Sequence, residues 1–219
     1  PNVKPNISDP DYELIKWYAA VLSNDVTELQ LKTLQAQHNQ AAILALTAFY
    51  LQQGDADQAQ ATLNTAQMPM RKNILAVLLQ TDIFLTQHQF DQAYQTVVSQ
   101  QKIMPENRAL TYKLAEVLIR KKQPAAVFNL VNKILQDNPH DVQGWDLMQR
   151  AAVIDQASPV QAIQVLRYRA EVEFWSGREE EGIKSLLHAQ RLAKDNSSLS
   201  ATIEHRLKQM QAERLFTLE

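Results

Sequence analysis

The chain has 219 residues, 45% of them hydrophobic, with only 4 glycines, 8 prolines and no cysteine. Its formal charge of -2 gives no field to hold a polyanion, and the missing thiols exclude disulfides, thiolate nucleophiles and cysteine-bound zinc. So few glycines and prolines, against abundant Gln, Ala and Leu, predict an all-α fold, and no segment approaches the ~20 apolar residues of a membrane span.

In chain order, PNVKPNISDP comes first, polar and with three prolines. With no initiator Met at Pro1, residues 1–9 are expected to be a linker from a preceding domain. Asp9-Pro10 then caps an amphipathic helix, DYELIKWYAAVLS. Asp25-Val26-Thr27-Glu28 reads as a capping box that opens a second helix, completing a degenerate hairpin over 10–38.

From about residue 40 a period of 34 sets in: Ala59 and Ala93 are 34 apart, and so are Pro105 and Pro139. The physical content is a helix pair whose close approach needs small side chains at fixed places and larger apolar ones around them. The first unit, about 40–72, carries Leu46, Tyr50, Ala59, Leu63 and Ala66, with Gln53-Gly54-Asp55 as its turn. The second, 74–107, carries Val77, Phe84, Ala93, Val97 and Pro105, with Thr81 at a small position and His88 where the turn glycine belongs. The third, 108–141, carries Leu114, Ala115, Leu118, Val131, Ile134 and Pro139, with Val127 in the alanine slot.

Trp145 opens a fourth unit, 142–194, in which the period breaks. Ser158-Pro159-Val160-Gln161 reads as a capping box with Pro at the first helical position, starting a longer helix to about Ser176. Gly177 turns the chain, and Gly182 and Ala189 fill small positions in the next helix. In the last helix, 197–215, Leu199, Ile203, Leu207 and Met210 form one apolar stripe, the pattern of an end cap. These patterns are similar to tetratricopeptide (TPR) repeats, which implies an α-solenoid of about ten antiparallel helices in a right-handed superhelix.

The residues offer no catalytic constellation. His38, His88, His140, His188 and His205 include no pair four apart on a helix and no HExxH, and four glycines build no phosphate loop. Glu179, Glu180 and Glu181 sit at a helix start and Arg120, Lys121 and Lys122 at a helix end, where the macrodipole favours each sign. No metal or cofactor site and no enzyme activity are expected from this chain alone.

The TPR likeness implies a concave face lined by the first helix of each pair. Carried across, that face holds Leu44, Ala48 and Leu51, then Leu78, Asp82 and Leu85, then Tyr112, Glu116, Ile119 and Arg120, then Asp146, Arg150 and Val153. The Lys and Asn with which the chaperone-binding subclass clamps a terminal carboxylate are absent from these slots. Leu44, Leu78 and Leu85 would form an apolar wall that needs a partner segment, a neighbouring domain or a second copy to cover it, unless the array curves tightly enough to bury it.

DPDYELIKWYAAVL, the degenerate hairpin, the repeats, and NPHDVQGWDLMQRAAVIDQ running into RAEVEFWSGREEEGIKSLLHAQRLAKDNSSLSATIEHRLKQMQ together resemble one family. It is the C-terminal TPR domain of the bacterial periplasmic zinc metallopeptidases of the β-barrel assembly-enhancing protease family. The resemblance implies a periplasmic location and a missing N-terminal catalytic domain with HExxH, where any zinc would sit. It implies that this part recognises rather than hydrolyses, contacting the outer-membrane β-barrel assembly machinery and its substrates and restricting access to the protease cleft. The competing expectation is a stand-alone scaffold or regulatory protein, cytoplasmic and self-associating through the Leu44, Leu78 and Leu85 wall.

Overall fold

The computed structural model describes residues 10–217, and side chains over 14–214; the expected linker and the Asp9 cap lie outside the described residues. The described residues contain no strand. They form thirteen helices rather than about ten: α1 (Pro10–Leu22), α2 (Glu28–Ala36), α3 (Gln40–Gln52), α4 (Ala56–Leu63), α5 (Met68–Arg71), α6 (Ile74–Thr86), α7 (Phe90–Ile103), α8 (Arg108–Arg120), α9 (Pro124–Asp137), α10 (Val142–Ile154), α11 (Gln161–Trp175), α12 (Glu179–Leu192) and α13 (Ser197–Thr217). Helix α5 is a single turn with Pro69 at its start, closed by the Arg71 guanidinium donating to the carbonyls of Ala66 and Asn64.

The turns inside the hairpins share one backbone device. Gly54, His88 and Lys122 lie 34 residues apart and all adopt left-handed φ, at 75°, 58° and 60°. Glycine enters that region freely, whereas His and Lys carry a Cβ that is penalised there. Ala59, Ala93 and Val127, five residues after each turn, have no exposed surface. Thus the 34-residue recurrence holds in backbone angle and in burial as well as in residue type.

The chain divides into two compact units, Pro1–Val117 and Leu118–Glu219. In the first, α3 is the central element, with α1, α2, α4 and α6 packed on it and α7 packed on α6. Residues 41–48 of α3 are all buried, as expected for a helix that is apolar around its whole circumference. The Tyr50 hydroxyl donates to Glu28 at 2.9 Å and ties α3 to α2. Gln60 and Gln80 exchange reciprocal amide bonds of 3.1 and 2.7 Å between α4 and α6.

In the second unit successive helices from α9 to α13 pack pairwise. The core joins Ile163, Ala170 and Phe174 of α11 to Ile183, Leu186 and Ala189 of α12 and to the α13 stripe of Ile203, Leu207 and Met210. Gly182 permits the closest approach: a Cβ there would lie 2.7 Å from the Ala170 carbonyl oxygen. Helix α11 also buries two acids on opposite faces. Glu173 accepts from Ser185 of α12 at 2.5 Å and from Arg169 at 2.7 Å, while Glu171 is bound by Arg206 of α13.

Two predicted capping boxes are corrected. The box opening α2 sits two residues later than expected, with Thr27 as N-cap and Gln30 as its reciprocal partner, while Asp25 accepts from the Ser23 hydroxyl instead. The Ser158 hydroxyl accepts from the Val160 amide, and α11 starts at Gln161, so Pro159 stands outside the helix. Gln161 turns its amide back to donate to the Ala152 and Val153 carbonyls at 3.2 and 2.7 Å, closing the end of α10 rather than the start of α11.

Candidate functional site

The residues expected on an open groove are placed unequally. Leu44 is 0% exposed, inside the cluster that α1 completes with Leu14 and Val21, and Leu85 is 8% exposed. The expected apolar wall is therefore mostly covered, and over Leu44 the cover is α1, which the sequence did not assign; Leu78 alone of the three is half-buried. Tyr112 is 3% exposed beneath the Arg108 guanidinium, 5.2 Å from its ring, and Ile119 is also buried. Arg120 is exposed. Asp146 and Arg150 form a surface pair at 3.7 Å, one turn apart on α10.

Asp82 and Glu116 are brought together by a residue absent from that expectation. Lys113 donates to Asp82 at 2.7 Å and to Glu116 at 3.1 Å, linking α6 to α8 within the first unit. One ammonium serves two carboxylates. Burial would push Lys113 down, but the two carboxylates outweigh it and hold the ammonium above its ordinary value. Burial pushes the Asp82 carboxyl up, and the pull of Lys113, shared with Glu116, does not offset it.

A second arrangement, in the Leu118–Glu219 unit, is an open cleft of about 690 Å³ between the start of α10 and helices α11 and α13. Asp141 positions that end of α10 by accepting from the amides of Gln143 and Gly144 at 3.1 and 3.3 Å. Four residues into α10, Trp145 donates its indole N–H to the Pro139 carbonyl at 2.8 Å, and its ring stacks on Tyr168 with centroids 6.0 Å apart. Trp175 donates to Glu171 at 3.1 Å, and the His140 ring meets it edge-on at 4.1 Å.

Glu171 is 8% exposed, and Arg206 grips it through two bonds of 2.7 and 2.9 Å. The guanidinium also lies 5.6 Å from the Trp175 ring centre and 3.5 Å from Glu213. Burial would lower the Arg206 pKa, yet Glu171 and Glu213 raise it. Arg167, on the cleft wall, donates to Gln164 at 2.8 Å.

Of these cleft residues, the sequence singles out Trp145, as a repeat marker, and His140 and His205, as histidines without a metal-binding spacing. A signal for Glu171 and Glu173 was present: two acids stand among Ala170, Val172, Phe174 and Trp175, where an interior helix face requires each to find a partner. Arg206 likewise interrupts the α13 stripe between Ile203 and Leu207. Among the described residues no three His, Asp or Glu side chains are grouped to hold a metal, and no helix is long and apolar enough to cross a membrane. Chemically, the cleft offers aromatic surface and cationic hydrogen-bond donors, the equipment of recognition. No protein-family model matches the chain, and no curated protein matches it.

Proposed function

We propose that the chain is a TPR-type helical-repeat module that binds other polypeptides, the noncatalytic part of a periplasmic zinc metallopeptidase acting in outer-membrane β-barrel assembly and quality control. The observation that carries the repeat reading is the recurrence at 34 residues of left-handed turns at Gly54, His88 and Lys122, each followed by a fully buried residue at Ala59, Ala93 or Val127. The periplasmic and metallopeptidase assignments rest on a resemblance over nearly the whole chain, most specific from Trp145 to Gly177 and in the Gln- and Leu-rich final helix. The partner-facing positions are Leu51, Leu78, Asp82, Glu116, Arg120, Asp146, Arg150 and Val153, the members of the expected groove that keep exposed surface. Self-association through Leu44 and Leu85 is disfavoured, because both are already covered within one chain.

Photo-crosslinking side chains placed at Leu78, Arg120 and Arg150 in cell envelopes test this reading. Crosslinks to assembly-machine subunits or nascent β-barrels are the expected result, and their absence from all three positions contradicts it. The gene upstream of Pro1 should encode an export signal and HExxH; an initiator Met immediately before Pro1 contradicts the family assignment.

A further inference from the structure

We infer that the cleft between α10, α11 and α13 binds a polypeptide segment in which an acidic side chain neighbours a large aromatic one, with Arg167 taking the carboxylate and Trp145 and Trp175 the ring. The inference rests on the reading of the chain as a protein-binding module. A volume of about 690 Å³ lies in the range of ligand sites, ~300 to 1,000 Å³, and is large enough for an anchoring ring with its neighbours.

The chemistry of the occupant follows from which groups are already spent. Both indole N–H groups are satisfied internally, by Pro139 and Glu171, so the two tryptophans offer ring surface and no donors. The four formal charges on the cleft wall sum to zero but are unevenly placed, since Glu171 and Glu213 both lie against Arg206. Arg167 is left with a neutral partner, the Gln164 amide oxygen, and no carboxylate among the described residues lies within ion-pair distance of it. A planar cation beside aromatic faces favours a carboxylate carried next to a ring.

The floor of the site is pre-built. The pair between Glu171 and Arg206 costs desolvation and is a weak source of stability, but it fixes α13 against α11 and orients Trp175 from below. An occupant would meet rings already held in place, which lowers the entropy lost on binding.

The test is a tryptophan-fluorescence titration of the whole chain with the blocked peptide acetyl-Ser-Phe-Asp-Gly-Ser-amide and its Phe-Asn counterpart. The Phe-Asp peptide should bind, and Arg167→Gln should weaken it about tenfold while leaving the thermal midpoint unchanged. The Phe-Asn peptide should bind the wild type about tenfold more weakly and be indifferent to Arg167→Gln. No binding of the Phe-Asp peptide, equal loss for both peptides in Arg167→Gln, or tighter binding of a Phe-Asn peptide with a free C-terminal carboxylate each overturns the inference. Crosslinks at Leu78, Arg120 and Arg150 that persist alongside any of these results would sink the cleft assignment alone; failure of both experiments would sink the protein-binding reading too.

Discussion

Gly182 and Gly54 carry the same side chain for opposite reasons, and substitution separates them. A Cβ at Gly54 meets nothing within 4 Å, so its constraint is the backbone angle, whereas at Gly182 the helical backbone is ordinary and the obstacle is the Ala170 carbonyl. Gly182→Ala should therefore cost about 2 kcal/mol despite the roughly 1 kcal/mol that alanine ordinarily gains over glycine within a helix. Thermal melting checks this, and a stabilised variant would contradict the packing of α11 on α12. At the turns the sign reverses: His88→Gly and Lys122→Gly should each stabilise by about 1 kcal/mol in urea titrations, by relieving the left-handed Cβ. Glu171→Ala should cost about 3 kcal/mol by leaving half-buried Arg206 with only the longer pair to Glu213 and Trp175 without its acceptor, while the double substitution Glu171→Met, Arg206→Leu should cost less than that single change.

At the scale of elements, much of the fold was legible. The periodic apolar stripe of α13, the turns at Gly54 and Gly177, and the small residues Ala59, Ala93 and Gly182 all do in the structure what their spacing implied. Legibility failed where a local motif competed with a tertiary one. Gln161 belongs by spacing to a capping box, yet the open carbonyls of α10 take its amide. Leu44 belongs by repeat position to a groove, yet α1 covers it, and α1 is read from sequence only as an amphipathic arm of a degenerate hairpin because its pairing with α3 leaves no local signature. The site was less legible than the fold. Trp145 was visible as a repeat marker, but its coming together with Arg206, some 60 residues later, depends on how three helices assemble. The bridge from α6 to α8 gives a pH signature. Lys113 has a folded pKa raised above 10.5, so its contribution is complete below that pH and is lost as pH climbs through the raised value. Asp82, also raised, acts in the same sense: stability attributable to it declines as pH rises from 3.8 through its folded pKa. Stability curves of Lys113→Met should show a smaller loss above pH 10.5 than the wild type, since Lys32, Tyr50 and Tyr168 also have raised pKa values; an unchanged alkaline limb would contradict the bridge.

At the scale of the whole molecule, each unit has a core of its own, one centred on α3 and one on α11, and each presents a distinct kind of surface. The first unit offers a charged bridge beside half-buried Leu78, and the second an aromatic cleft with a cationic wall. Neither arrangement assembles a nucleophile with a base, and both are built from side chains held by pairing partners, which suits contact with another chain. The proposed role is that helix pairs of this chain bind the machinery and substrates of β-barrel assembly. Calorimetric titration of the purified chain with purified outer-membrane β-barrel assembly complex tests it most directly. Saturable binding, weakened by charge reversal at Arg120 and Arg150 together, is the predicted result; no heat of binding at any accessible concentration would contradict it.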